Sequence, residues 1–468
     1  MNNTISSVCL PKTYTYDVEG QRVLVALTGN PFNYDPQTLY SLAARRNKKR
    51  GFLFVSKVLG KHVPVNPYVP LLAGINLGAH FIEKIHGVHQ VDVQAVVEAV
   101  KKNEQTKEVY ARVISQPRFV LPRETLFIGF AETATGLGHA VFSLFDNAHY
   151  LHTTRDKIPM LQPALDFNEV HSHAVNHLCY PENPELLKTS KTVVLIDDEI
   201  TTGNTALNII RAIHEQYAIK DYVVLSLLDW RTKDNRGNFR KMEELLCLKI
   251  RTLSLLEGEI DVSGSSYHEQ SPQNLTTDTE NRESFQVIVE EQLLNLQEVV
   301  SVFSVDVNGQ ESASPYLKVT GRFGLSSRED QDTLPLAREI GENLKPHRAG
   351  GKTLCLGTGE FMYFPMLISA FMGEGISYHA TTRSPIYPFP KPGYGIQNAF
   401  TFPCPDDEGI SYYVYNIPLN YYDELYVFLE REVSLERLQP MLRVFSQLGI
   451  PRLSLVIASP VSRKTEKR

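Results

Sequence analysis

The segment Thr192–Asn208 reads TVVLIDDEITTGNTALN and carries the densest chemistry in the chain. Val193–Ile196 have the apolar, β-branched character of a short buried strand. Asp197 and Asp198 follow at its carboxyl end, where open α/β sheets place their ligands. Thr201, Thr202, Gly203, Asn204 and Thr205 then form a tight turn whose amides and hydroxyls can wrap one phosphate. The spacing predicts a helix from about Thr205, capped by Asn204 or Thr205, with Ala206, Leu207, Ile210, Ile213 and Tyr217 on its apolar side. Its N-terminus would face the same phosphate. Paired carboxylates beside a phosphate cradle make sense if the ligand is a sugar phosphate. The acids then accept hydrogen bonds from vicinal ribose hydroxyls while the turn holds the 5′-phosphate. A Walker loop would need G-x-x-x-x-G-K-[ST], which this segment lacks.

The elements around this segment argue for an α/β chain with a largely parallel sheet. Runs at Arg22–Leu27, Gly51–Val58, Thr125–Phe130, Tyr222–Leu228 and Leu248–Leu255 read as buried strands. Amphipathic stretches at Val91–Lys102, Gly138–Phe145 and Thr205–Tyr217 alternate with them. Residues 1–21 read as a polar tail, 22–261 as a first domain and 262–285 as a polar linker. Residues 286–461 read as a second α/β domain and 462–468 as a basic tail. The two domains share a plan. Thr125–Gly138 (TLFIGFAETATGLG) precedes His152-Thr153-Thr154-Arg155, and Thr353–Pro365 (TLCLGTGEFMYFP) precedes Ala380-Thr381-Thr382-Arg383. The glycines and the arginines are both 228 positions apart (357 − 129 and 383 − 155). Either a diverged duplication or the ordinary recurrence of strand–glycine loop–helix units accounts for that.

The 468 residues are 42% hydrophobic and 21% charged, enough to bury cores in two or three domains. A net charge of −6 argues against a general nucleic-acid coat. Five cysteines without a C-x-x-C pair argue against a disulfide framework or a cysteine zinc site, and fit a reducing compartment. The first residues do not read as a signal peptide and no apolar run approaches the ~20 residues of a membrane span. The expectation is a cytoplasmic protein without membrane partners.

The signature at Thr192–Asn208 resembles that of type I phosphoribosyltransferases: four apolar residues, two acids, two variable positions and a Thr/Gly turn. Arg45–Val65 and His379–Pro388, which contains Thr382-Arg383-Ser384-Pro385, resemble the hallmarks of one bacterial family. There an orotate-phosphoribosyltransferase-like domain precedes a TRSP domain, encoded in gene clusters associated with tellurium resistance and stress. The resemblance implies a phosphoribosyl pyrophosphate (PRPP) and Mg²⁺-dependent enzyme acting on an unidentified base, in either direction, and often a homodimer. The alternative is a regulator that binds PRPP without turning it over. Asp197 and Asp198 would hold the ribose and, indirectly, the metal. The loop Ala131, Glu132, Thr133, Ala134, Thr135 and Gly136 would hold pyrophosphate through backbone amides.

Other residues fit that chemistry. Arg155 and Lys157 could neutralise pyrophosphate or form a solvated pair. His171 and His173 lie where this fold class carries a mobile loop, and could act on pyrophosphate or as acid–base groups. With His177 they lack a fourth zinc ligand of sensible spacing. Arg45–Arg50 is a basic cluster read as a solvated turn, with Lys57, Lys61 and His62 better placed for substrate. In the second domain Gly357, Gly359, Thr382, Arg383 and Ser384 could form an anion site. The acidic signature there is expected at Tyr412–Tyr422, which has neither paired acids nor a Thr-Thr-Gly turn. Acceptor specificity is expected from residues before Gly87, with a possible contribution from the second domain.

Overall fold

The computed structural model describes residues 12–45, 50–132, 134–168, 176–265, 286–289 and 298–459. The first half opens with β1 (Thr13–Val18) and β2 (Gln21–Gly29), then α1 (Pro36–Leu39) and a hairpin of β3 (Tyr40–Ala44) and β4 (Phe52–Ser56). Helices α2 (Tyr68–Phe81), α3 (Val93–Lys102) and α4 (Thr106–Ile114) lead to β5 (Phe119–Gly129), α5 (Ala134–Phe142) and β6 (Phe145–His152). A second hairpin, β7 (Leu165–Asn168) and β8 (Asn176–Cys179), precedes α6 (Glu185–Thr189). Then come β9 (Thr192–Ile200), α7 (Asn204–Tyr217), β10 (Asp221–Asp229), α8 (Lys233–Leu246) and β11 (Lys249–Gly264). The chain therefore enters its first sheet at Thr13, within the expected tail, because Thr13–Val18 pair residue for residue with β2. It leaves at Gly264, past the expected boundary, because β11 continues antiparallel along β2.

The second half contains β12 (Gln286–Val289) and two small ladders, β13 (Val299–Val300) with β16 (Tyr316–Leu317) and β14 (Ser304–Val305) with β15 (Glu311–Ser312). Next are β17 (Leu325–Ser326), α9 (Ser327–Asp330), α10 (Thr333–Leu344), β18 (Thr353–Gly357), α11 (Tyr363–Phe371) and β19 (Ile376–Ala380). A hairpin of β20 (Ala399–Pro403) and β21 (Ser411–Tyr415), then β22 (Glu424–Leu429), α12 (Leu435–Phe445) and β23 (Arg452–Ile457) complete it.

The larger sheet has the order β1-β2-β11-β10-β9-β5-β6-β17 and the smaller β12-β23-β22-β18-β19. Strands β11-β10-β9-β5-β6 are mutually parallel, and so are β12-β23-β22-β18-β19. The chain reverses its direction across the sheet between β9 and β5, and again between β22 and β18. Such switch points open a crevice at the strand ends.

Local hydrogen bonding repeats with the topology. Ala131 N donates to Thr153 Oγ1, and Gly359 N to Thr381 Oγ1, both at 2.8 Å. Tyr150 Oη donates to Thr135 O at 2.7 Å and Tyr378 Oη to Met362 O at 2.8 Å. Thr154 bridges Leu178 as Thr382 bridges Tyr413. A Cβ on Gly129 would lie 2.6 Å from Ala134 O and 2.7 Å from Tyr150 Oη. One on Gly357 would lie 2.6 Å from Phe361 O and 2.8 Å from Tyr378 Oη. The offset seen in the sequence is thus a structural repeat.

The halves meet through their equivalent helices. Gly136 of α5 brings a would-be Cβ within 3.3 Å of Met366 Cε on α11, and His139 stacks on Tyr363 at 3.8 Å. One buried apolar cluster includes Val23 and Phe127 from the first half and Phe364 and Ile396 from the second. The polar contacts are reciprocal. Arg383 N donates to Glu132 Oε2 at 3.1 Å, while Arg155 N donates to Glu360 Oε1 at 2.8 Å. Behind Glu360 sits Arg322, 2% exposed, ion-paired to Glu360, to Glu430 at 2.6 Å and to Asp156 at 3.3 Å. Burial alone would raise the Glu360 carboxyl, but the charges of Arg322, His152 and Arg383 outweigh it and hold it at about 2.

Two predictions follow from this packing. Gly129→Ala and Gly357→Ala should each cost about 1–3 kcal/mol in urea unfolding, because each meets the same backbone oxygen and tyrosine hydroxyl. Glu360→Gln should cost roughly 3–5 kcal/mol near pH 7, since it removes one carboxylate of a buried network. Glu360 titrates below its ordinary 4.5, so its contribution is complete above that pH. The difference between variant and wild type should shrink as pH falls from 4.5 towards about 2.

Candidate active site

Strand β9 is longer than Val193–Ile196 because β10 supports it as far as Ile200. Its other neighbour, β5, ends with Gly129 opposite Ile196. Asp197 and Asp198 therefore stand where the sheet opens on one side. Asp198 N donates to Asp197 Oδ1 at 2.9 Å, which orients the pair. The chain then turns at Gly203, whose φ of +77° makes it the cap of α7. Asn204 is the first helical residue, its N donating to Thr202 Oγ1 at 3.3 Å, and neither Asn204 nor Thr205 is the cap. A Cβ on Gly203 would lie 2.5 Å from the Phe239 ring, so sterics as well as dihedral demand glycine there. Ala206, Leu207, Ile209, Ile210 and Ile213 bury α7, while Tyr217 stays half-buried.

Two ion pairs missed in the sequence brace this turn. Asp229 accepts from Arg231 Nε and Nη2 at 3.0 and 2.7 Å, both residues being buried. Trp230 N donates to Ile200 O at 2.8 Å, tying that corner to the end of β9. Glu199, read only as a variable position, pairs with Arg50 at 2.7 Å and joins β9 to the hairpin β3–β4. Burial raises the Glu199 carboxyl, with Arg50 opposing the shift. Arg50 lies 149 residues from Glu199, so no local pattern revealed that pair, whereas Asp229 and Arg231 are two residues apart but belong to no motif.

A cavity of about 840 Å³ lies between the halves. Asp197, Asp198, Thr201, Thr202, Gly203 and Thr205 line it, together with Ala131, Glu132, Arg155 and Lys157. Gly359, Arg383 and Ser384 of the second half line the same cavity. The separate anion site expected in the second half therefore opens on the first. Thr382 and Gly357 are buried beneath it and do not reach the wall. Ala134, Thr135 and Gly136 are not part of an exposed loop. They form the buried first turn of α5, their small size allowing α11 to approach, and Thr135 Oγ1 donates to Glu360 O at 3.2 Å. Thr133, His171 and His173 lie outside the described residues, as do Arg46–Lys49 of the basic cluster. His177 is buried, its Nδ1 2.8 Å from Thr153 Oγ1.

The guanidinium of Arg155 makes no hydrogen bond or ion pair among the described residues, and its Nε is buried. Arg383 is held by its backbone N–H, its Nε lying 3.8 Å from Glu132 Oε1. The counterpart of the acid pair in the second half is not at Tyr412–Tyr422, whose first residues belong to hairpin strand β21. Strand register identifies it instead. Phe428 stands opposite Gly357 as Ile196 stands opposite Gly129, so Leu429 and Glu430 replace Asp197 and Asp198. Arg322 spans Glu430 and Glu360, closing the second crevice with a cation of the chain's own. No such cation joins Asp198 to Glu132 among the described residues.

No cluster of three metal-ligating side chains occurs among the described residues. The adjacent carboxylates of Asp197 and Asp198 fit Mg²⁺, which needs only one or two protein carboxylates when phosphates and water complete its shell. No helix among the described residues is long and apolar enough to cross a membrane.

Residues 39–259 match the family described as phosphoribosyl transferase, and residues 319–445 match the TRSP domain found C-terminal to it. No curated protein is matched. Similar solved structures include adenine phosphoribosyl transferase from Trypanosoma brucei in complex with AMP, pyrophosphate and ribose-5-phosphate. It is 12% identical over 49% of this chain and 82% of its own, with a TM-score of 0.30. The adenine phosphoribosyltransferase from Leishmania donovani is 13% identical over 33% and 67%, with a TM-score of 0.22. The chain therefore consists of a phosphoribosyl transferase domain followed by the TRSP domain found C-terminal to it.

Proposed function

We propose that the protein transfers the 5-phosphoribosyl group of PRPP to a nitrogen of an acceptor base, or runs the same reaction backwards. The carrying observation is that the acid pair, the Thr/Gly turn and Arg383 of the other half line one cavity. In this reading Asp197 and Asp198 accept hydrogen bonds from the ribose hydroxyls, and the Thr201–Thr205 turn with the start of α7 holds the 5′-phosphate. The bond from C1′ to the pyrophosphate oxygen breaks, the bond from C1′ to the acceptor nitrogen forms, and the acceptor loses its proton. Positive charge on the ribose grows as pyrophosphate leaves, so the fixed carboxylates favour the transition state over the ground state. Asp197 and Asp198 would also hold Mg²⁺, which would screen pyrophosphate charge.

Arg383, rather than Arg155, is the cation assigned to the first crevice. Its backbone is tied to Glu132 of that crevice, whereas Arg155 is tied to Glu360 of the other. The second half acts as a built-in partner, supplying across an internal interface what a second subunit would otherwise provide. Because Arg322 occupies the second crevice, one PRPP binds per chain.

Asp197→Asn with Asp198→Asn should abolish pyrophosphate release and PRPP binding while leaving the melting transition in place. Turnover near the wild-type rate would sink the assignment. Arg383→Gln should lower kcat/KM for PRPP roughly ten- to hundred-fold, as expected for a lost charge-assisted hydrogen bond. Arg155→Gln should cost less in the same pyrophosphate-release assay. Equal losses would remove the crossed arrangement.

A further inference from the structure

The loop from Gly60 to Val65 joins the β3–β4 hairpin to α2 and is clamped on the second half. Ala380 N donates to Gly60 O at 2.7 Å, and Val65 and Tyr378 exchange backbone hydrogen bonds of 2.9 and 2.6 Å. Asn416 Nδ2 donates to His62 O at 2.9 Å. Held in this way, His62 forms part of the cavity wall. Its side chain is 3% exposed, yet neither ring nitrogen has a hydrogen-bond partner among the described residues. Buried polar groups ordinarily find partners, and an orphan beside a cavity points to a partner that enters the cavity.

Burial, reinforced by the charges of Lys61 and His379, pushes the His62 pKa well below its ordinary value. The ring is therefore neutral near pH 7, with one N–H donor and one acceptor nitrogen. A neutral ring is a poor anion site. Leu53 and Phe54, both buried, line the same cavity, and Phe54 stacks on Trp230 with centroids 4.8 Å apart. Arg50, whose guanidinium lies 5.3 Å from the Phe54 ring centroid, and Lys61 line the cavity beside them, so anions have cations to meet there, while the uncharged His62 ring next to Leu53 and Phe54 suits the edge of a flat heterocycle.

We propose that His62 reads the acceptor base, a ring N–H or carbonyl of that base pairing with a His62 ring nitrogen. This deepens the phosphoribosyl-transfer reading and rests on it. His62 is then a specificity-determining residue positioned by the second half.

The test uses the full chain with two variants. His62→Phe keeps a planar ring and removes both polar atoms; His62→Gln keeps a donor and an acceptor. PRPP affinity with Mg²⁺ is measured by calorimetry, and pyrophosphate release is followed with adenine, hypoxanthine, uracil, orotate, nicotinate and nicotinamide. The expected result is turnover of at least one of these by the wild type. His62→Phe should lower its kcat/KM roughly ten- to hundred-fold, mainly through the acceptor KM, with PRPP affinity unchanged. His62→Gln should recover part of the loss. A wild type that binds PRPP but uses none of these heterocycles overturns the proposal, as does a His62→Phe variant with wild-type kcat/KM. Absence of PRPP binding to the wild type would instead remove the parent reading, and this one with it.

Discussion

Two carboxylates crossing between the halves determine how the cavity is built. Glu132 takes the backbone N–H of Arg383, and Glu360 takes that of Arg155. Each acid accepts from a main-chain donor, which fixes where the arginine stands. The Arg155 guanidinium has no partner among the described residues, whereas that of Arg383 also lies within ion-pair reach of Glu132, its Nε 3.8 Å from Oε1. The reciprocity is the geometry of a two-fold interface, in which one patch meets its own equivalent. Here it is drawn within one chain.

The repeat has diverged in chemistry while keeping its backbone. Both sheets retain the strand order, the tyrosine hydroxyl on the helix start and the threonine under the glycine loop. What changed is the crevice. Glu430 holds in the second sheet the register position of Asp198 in the first, and Arg322 ties it to Glu360 inside the protein. A buried guanidinium between carboxylates is costly to desolvate and contributes little net stability against an apolar filling. Its effect lies in specificity of structure: it closes one of two otherwise similar crevices and so gives the cavity a direction.

The main signature was legible because its parts are adjacent in sequence: strand, acids, turn and helix follow one another within Thr192–Tyr217. The loop Ala134–Gly136 was misread because small residues serve two opposite purposes. They allow a ligand to approach a backbone, and they allow one helix to approach another, which is the use made of them against α11. Sequence spacing could not separate these. The acid pair of the second half was sought at Tyr412–Tyr422 since the motif itself is gone. Only strand register, Phe428 against Gly357, locates its replacement. Arg322 carries no motif either, and its role comes from Glu360 and Glu430, partners that folding assembles.

The charge layout within the cavity follows from these constraints. Acids stand at the ends of β9, where a sugar gaining positive charge would sit. Arg383 stands beyond Glu132, where the proposed reading puts the leaving anion, and the wall with His62 and Phe54 carries Lys61 and Arg50 beside it. Fields of this kind act only if they are fixed before the reaction, because reorganising dipoles during the step would consume what they contribute. Each fixture here is braced by a contact within the protein: Asp197 by the Asp198 amide, Gly203 by Phe239, Arg383 by Glu132 and the His62 loop by Tyr378 and Asn416. Two of those four braces join residues of different halves. In the proposed reading the first half therefore supplies the sugar and phosphate contacts, and the second half positions the groups assigned to the leaving anion and the acceptor.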